Sequence, residues 1–500
     1  MKNLTLFWFR RDLRLSDNLP LTIASRYENT AAIYIYDPEI ISKPDFSYLH
    51  FDFINDSLIE LDRAFSSKGS YLNIYHNHSM DVLKTVHHQC SIRRLISHQQ
   101  TGNWFQFNQD KQLSSYCKEN GIEWLEFQNN GVIRDLKDRD GWSKRWNSDM
   151  KKEVLSVPDI SNFRCLKNTS GLLDNRSLYI KKINYSKLYK GGESEARSTL
   201  DSFLNQRGQY YSKKMSSPLT AFSSCSRLSS YITYGNISIK EVLKATNHRQ
   251  AYLRKNKIRT GWLKSLSSFS SRLRWHCHFI QKLEMQPNLE FTNMVRAYDD
   301  IRTTFDSNLF KKWATGTTGF PMIDACMRSL KVNGWINFRM RAMLVSFASY
   351  NLWIDWRKTS EYLSNYFIDY EPGIHFNQFQ MQSGVTGINA IRIYNPIKQQ
   401  LDHDPKAHFV RKWVPELENI PLEYIQYPHL LSEKMQKKTG CIIGKTYPEP
   451  AVDLKLSSLK AKEMIYNIKA SSQAKLQSKA AYLMHGSRKK SRNINLFPKR

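Results

Sequence analysis

No apolar run in this 500-residue chain approaches the ~20 residues that a membrane-spanning helix needs. The opening MKNLTLFWFRRDLRL lacks the makings of a signal peptide, because its apolar stretch is short and Arg10 and Arg11 interrupt it. A cytoplasmic protein without a membrane partner is therefore expected. Cysteine is sparse and scattered (Cys90, Cys117, Cys165, Cys225, Cys277, Cys326 and Cys441), with no CxxC pair. That argues against zinc ribbons and disulfide frameworks and leaves open only an iron–sulfur cluster assembled from distant cysteines. Acidic residues are in deficit: 45 Asp plus Glu face 74 Lys plus Arg, a formal charge of +29. Such a surplus favours polyanions, nucleic acid first and an anionic membrane face second, with a diffuse basic surface as the plain alternative. No internal repeat is visible. Aromatic residues are plentiful, at 13% of the chain, and the length supplies large cores for roughly two to four domains.

Strand-like and helical stretches alternate over the first quarter. NLTLFWF (3–9), AAIYIYD (31–37), YLNIYH, RRLISH and IEWLEF read as strands, separated by helical periodicity over 49–68 and in MDVLKTVHH and LSSYCKENG. The alternation predicts right-handed βαβ units and a Rossmann-like, doubly wound parallel sheet over 1–128. Residues 129–195 are polar, have few periodic runs and are expected to form a connector wrapping the surface. From 196 to 485 the pattern is almost wholly helical, and 486–500 (GSRKKSRNINLFPKR) reads as a basic tail. The expected fold is an α/β N-terminal domain followed by an all-α domain.

Four stretches carry candidate chemistry. WFRRDLRLSDN (8–18) places Arg10, Arg11 and Asp12 just after the first strand, where open α/β sheets bind ligands; a cluster bracing two domains is an equal reading. SSCSRLSSYITYG offers hydroxyls and free N–H groups at a helix start, suited to phosphate, although a plain N-cap has the same composition. In SSRLRWHCHFIQKLE, Arg272, Trp275, His276 and Phe279 share a helix face. Trp275 on that face reads, taken alone, as a core aromatic; His276 and His278 point to opposite faces and do not suit a metal. From 316 to 416, Trp, Arg, Asp and Asn recur at fixed offsets inside helical patterns, as in GWINFRMRAML, IDWRK, YFIDYEPGIHFNQFQMQSG and RKWVPEL. An apolar context favours pairing of Arg341 with Asp369, and an inter-helix salt bridge would look the same. His375 could titrate near neutral pH or be satisfied by backbone carbonyls.

Together these stretches resemble the photolyase/cryptochrome family, over residues 8 to about 420. The resemblance implies a helical FAD-binding domain behind an antenna-type α/β domain. It implies FAD contacts from Tyr211, Ser226, Arg227, Leu228, Ser229, Arg272, Arg341, Asp369 and Glu371. His375 would face flavin N5. Trp275, His276, Phe338 and Met381 would meet a flipped DNA lesion, and Trp313 and Trp356 would be the distal and middle members of an electron-transfer chain. Several positions depart from the family pattern. Arg272 stands where many relatives have Glu, Phe338 replaces Asn, and Met381 replaces Trp. Phe379 occupies the proximal electron-donor position; Phe is far harder to oxidise than Trp, so either Trp335, Trp353 or a nearby Tyr substitutes or photoreduction is slow. Gln99 and Gln100 stand where the acidic contact of an antenna chromophore (folate or deazaflavin type) is usual, which speaks against such a pigment. The activity implied is blue-light-driven repair of pyrimidine dimers in damaged duplex or single-stranded DNA, by a monomer. A cryptochrome-type photosensor that binds FAD without repair is the competing reading, and a light-independent nucleic-acid-binding protein a third.

Overall fold

The computed structural model describes residues 3–174 and 185–486. Five parallel strands, β1 (Leu4–Phe9), β2 (Thr30–Tyr36), β3 (Leu72–His76), β4 (Ile92–His98) and β5 (Glu123–Phe127), form one sheet in the order β3-β2-β1-β4-β5. β1 is central and buried along its whole length, as a strand covered on both faces must be. It pairs with β2 (Phe7 opposite Ala32) and with β4 (Phe7 opposite Ile96). The chain reverses direction of travel across the sheet at β1, so a crevice opens beyond the carboxyl ends of β1 and its neighbours. Asp37, directly after β2, caps a short helix by accepting from the Glu39 N–H at 3.0 Å.

The remainder is helical. The longest element, Trp262–Met285, buries Leu266, Phe269, Leu273, Cys277 and Ile280. Their spacing of three and four residues turns one stripe inward and leaves Trp275 on the opposite side. Pro372 starts the helix Pro372–Ser383, which lies against it. Gly373 permits the close crossing: a Cβ there would stand 2.5 Å from the Ile280 Cα. Gly235, at φ +72°, similarly lets the chain pass the Arg11–Asp12 backbone, where a Cβ would meet the Arg11 carbonyl oxygen at 2.3 Å.

One apolar cluster runs from the sheet (Phe7, Phe9, Ala32) into the helices (Phe51, Tyr231, Phe269, Ile280), and a second fills the helical part around Trp313, Met343 and Trp356. The stretch expected to be a surface connector is more than that. It forms a helix, Trp142–Asp149, whose Trp142 and Trp146 are buried in the first cluster. Two indoles four residues apart make one apolar stripe, a signal too short to register as periodicity. Of the expected basic tail, 487–500 lies outside the described residues. Among the described residues no helix is long and apolar enough to cross a membrane.

Candidate functional site

The Arg341 guanidinium donates two hydrogen bonds to the two oxygens of Asp369, at 2.9 and 3.1 Å. Its Nε donates to the Ile336 carbonyl at 2.7 Å, and the guanidinium lies 4.2 Å from the Phe367 ring centre. Burial drives the Asp369 pKa up, but the Arg341 charge, with hydrogen bonds from Arg341 and Ser229, outweighs it and holds the carboxyl below its usual value. The pair is thus a fixed, two-pronged ion pair. Two residues on, Glu371 forms a salt bridge to Arg11 at 3.1 Å, while its second oxygen, Oε1, is buried with no hydrogen-bond partner among the described residues. Burial raises its pKa in spite of Arg11.

These side chains line a cavity of about 500 Å³, its open mouth included, together with Phe338, Phe367, Tyr370, His375, Phe379 and Gln382. Phe338 is 56% exposed and forms part of its rim. His375 sits in the wall against the Phe379 ring at 4.4 Å and the Tyr370 ring at 4.9 Å. Its Nε2–H donates to the Ser360 carbonyl at 3.0 Å. Burial pushes its pKa down to about 3, which overturns the expectation of protonation near neutral pH; His375 is a neutral imidazole held by a carbonyl. Met381, one turn along from Gln378, is half-buried.

On the neighbouring helix Trp275 is 56% exposed, which removes the core-packing alternative. The Arg272 guanidinium lies 5.6 Å from the Trp275 ring and 5.5 Å from that of Tyr211, and it donates to the Ser268 carbonyl at 2.8 Å. Tyr211 is buried against Phe203 and Phe269. Both ring nitrogens of His276 are buried without a partner, and burial lowers its pKa to about 4. The Ser226–Ser229 turn precedes a helix of five residues, Ser229–Thr233. Arg227 adopts φ +59° there, with its Nε unpaired, and Leu228 is buried. The Ser230 and Tyr189 hydroxyls nearby are also buried with no partner among the described residues. Ser229 reaches Asp369, which ties this turn to the ion pair. Tyr211 and Ser226 are not on the lining of the Arg341–Asp369 cavity.

Trp313 and Trp356 are buried in the second cluster, their indole N–H groups donating to the Leu344 carbonyl (3.1 Å) and to Asn293 Oδ1 (2.7 Å). Trp356 meets Phe376 at 6.4 Å, and Phe376 meets His375 at 5.7 Å. A separate and larger cavity, about 1060 Å³ with its open mouth included, lies at the carboxyl edge of the sheet, walled by Trp8, Arg10, Tyr34, Asp37, Asp45, Gln100 and Tyr370 among others.

Residues 269–467 match the family model described as the FAD binding domain of DNA photolyase, and residues 5–141 match the DNA photolyase model. The chain belongs to the photolyase/cryptochrome family. It is similar to cryptochrome DASH of Gloeobacter violaceus, 26% identical over 493 residues covering 92% of this chain and 95% of the relative. It is similar also to deoxyribodipyrimidine photo-lyase of Agrobacterium fabrum, 27% identical over 469 residues covering 90% and 94%. Among solved structures, a bacterial class III photolyase from Agrobacterium tumefaciens superposes with TM-score 0.81 at 24% identity, covering 94% of this chain and 98% of that one, which shows the shared fold.

As a photolyase/cryptochrome member the chain carries an FAD-binding domain. The residues present fit that cofactor. The ion pair and Glu371 give a polar edge to a cavity otherwise walled by aromatic and aliphatic side chains with Gln378 and Gln382, and Glu371 Oε1, Arg227 Nε, Ser230 Oγ and the Tyr189 hydroxyl, without partners among the described residues, are groups a flavin dinucleotide would satisfy. The Arg10–Arg11–Asp12 segment braces the two parts of the fold. Arg11 donates to the Tyr370 carbonyl at 2.9 Å and pairs with Glu371, Arg10 pairs with Asp110, and Asp12 accepts from His98 Nδ1 at 2.7 Å. Sequence reading passed over Tyr370 and Asp45. Tyr370 was visible only as a letter between two carboxylates, and Asp45 lies 325 positions away.

Proposed function

We propose that this protein is an FAD-dependent, blue-light-driven DNA repair lyase acting on pyrimidine dimers. The observation that carries the reading is an exposed Phe338 at the rim of a cavity lined by the Arg341–Asp369 pair, with an exposed Trp275 on the helix that packs against Pro372–Ser383. Large aromatics left in water on a basic protein are suited to stacking against extruded bases.

In this reading Arg341 and Asp369 hold the flavin ring, Glu371 accepts at its polar edge, and Tyr211 with Ser226, Arg227, Leu228 and Ser229 holds the phosphates. Reduced FAD, when bound, supplies an excitable one-electron donor. Trp275 stacks on the flipped base, His276 and Met381 line its cavity, and Phe338 excludes water at the rim. Arg272 stays beside Trp275 as a cation for the substrate's negative charge. Neutral His375 neither adds a charge near the ring nor supplies a proton. Surface Lys and Arg bind phosphates, so affinity falls steeply with salt. The α/β part, assigned to 1–128, offers its sheet-edge cavity to a second chromophore, with Asp37 and Asp45 as acidic contacts in place of the missing carboxylate at Gln99–Gln100. The helical catalytic part is assigned to 196–485, acting as a monomer.

One observation favours a cryptochrome-type photosensor. The proximal wall residue is Phe379, which does not relay electrons, so regeneration of reduced flavin by the usual route is interrupted. Blue light on the reduced, flavin-loaded protein with dimer-bearing oligonucleotides separates the two. Loss of dimers is expected; intact dimers beside fully reduced flavin reject repair in favour of sensing.

A further inference from the structure

Among the described residues the two cavities share one wall residue. Tyr370 lines both the sheet-edge cavity and the Arg341–Asp369 cavity. Its ring stands 4.9 Å from His375 at 83°, and its carbonyl is fixed by Arg11. Its phenol donates to Asp45 Oδ2 at 2.8 Å, and Asp45 is itself a wall of the sheet-edge cavity, steadied by Asn103 Nδ2 at 3.1 Å. The other aromatic residues on the Arg341–Asp369 cavity, apart from His375, are Phe338, Phe367 and Phe379. Phenylalanine holds its electrons too tightly to serve. Tyrosine yields one readily only when a base takes the phenolic proton at the same time, and here a carboxylate stands within the reach that such a transfer needs.

Resting on the flavin reading above, we propose that Tyr370 is the immediate one-electron donor to the flavin of this protein, with Asp45 accepting its phenolic proton. One electron passes from the phenol to light-excited oxidised flavin. The phenol O–H bond breaks, the proton bonds to an Asp45 oxygen, and a neutral tyrosyl radical remains. The radical is reset by a small soluble thiolate entering the sheet-edge cavity when no second chromophore occupies it: the thiolate gives one electron and becomes a thiyl radical, and Asp45 returns the proton. Burial and the nearby charges of Asp45 and Glu290 raise the phenol pKa well above its usual value, so the proton leaves with the electron and not before it. The substitution of Phe379 is then a relocation of the donor from one wall of the flavin cavity to another.

The test uses the flavin-loaded full chain, with and without ring-deuterated tyrosine, frozen under blue light and read by electron paramagnetic resonance. The expected result is a radical whose hyperfine structure collapses on deuteration, absent in Tyr370→Phe. Flavin content should be unchanged in Tyr370→Phe, because the lost hydroxyl faces Asp45. Photoreduction under excess thiol should fall at least an order of magnitude in Tyr370→Phe and recover in Tyr370→Trp. Asp45→Asn should slow it and abolish its solvent deuterium effect, with the phenol still in place. A tryptophan radical in the unaltered protein, or an unaltered photoreduction rate in flavin-replete Tyr370→Phe, overturns the proposal and moves the donor to Trp335 or Trp353. Absence of flavin from the purified wild-type chain, measured before any illumination, overturns the flavin reading itself and this proposal with it.

Discussion

Asp369 and Glu371 are two residues apart on one strand of chain and face the same cavity, yet their environments push them in opposite directions. Both pay a desolvation cost. Asp369 meets a guanidinium on both oxygens and a serine besides, and it stays ionised. Glu371 has Arg11 on one oxygen and a backbone contact from Gly373, while Oε1 has no hydrogen-bond partner among the described residues; burial outweighs both contacts, so its pKa rises. The lesson is that a buried carboxylate is an anchor when every lone pair is answered and a vacancy for a ligand group when one is not.

The largest expected effect breaks the answered member. Asp369→Ala strands the Arg341 cation in a mostly buried site and should cost about 3–5 kcal/mol of stability, read by denaturant unfolding; Glu371→Gln, which keeps a hydrogen-bonding oxygen, should cost far less. Equal losses would show that the two carboxylates are not different in kind. Next in size is Trp275→Ala, which removes the exposed stacking surface. Loss of about 1–3 kcal/mol of stacking corresponds to roughly 5- to 150-fold weaker binding of dimer-bearing DNA by fluorescence titration, and unchanged affinity would detach Trp275 from the substrate.

A third prediction concerns acid. His50 and His276 have pKa values near 4 and His375 near 3, in each case because burial disfavours the charged ring. The unfolded chain takes up these protons from about pH 6.5 downward while the folded chain does not, so the melting temperature should fall as pH drops through that window. Asp369 adds to the loss at lower pH, as pH falls through its depressed folded pKa. Glu371 acts oppositely, its burial penalty being relieved as it takes up a proton. His375→Asn should make the decline shallower by one proton; an unchanged slope would mean that the ring is not neutral in the fold. The smallest effect is Phe379→Trp, which should add a second oxidisable wall beside His375 and speed photoreduction modestly. No acceleration would show that the Tyr370 wall already saturates the step.

Much of this was legible before any coordinates. The alternating strand and helix stretches foretold five parallel strands because fully buried strands and amphipathic helices leave different periods. The pairing of Arg341 with Asp369 was readable because the two lie in recognisable motifs. What was hidden depends on distant contacts. Nothing in the letters around Asp45 announces that it accepts from Tyr370, and nothing around Arg11 names Glu371 as its partner. Trp142 and Trp146 were mistaken for part of a surface connector because two indoles are too few to make a period. The protonation state of His375 turns on burial and on one carbonyl from Ser360, and neither is local in sequence.

The most direct measurement of the central claim is the amount of FAD released per chain on denaturing the purified wild-type protein, Asp369→Ala and Glu371→Gln. The account predicts near-full occupancy in the wild type, loss in Asp369→Ala, and retention with weakened affinity in Glu371→Gln. Full occupancy in Asp369→Ala would contradict it, since the ion pair would then not be what grips the flavin.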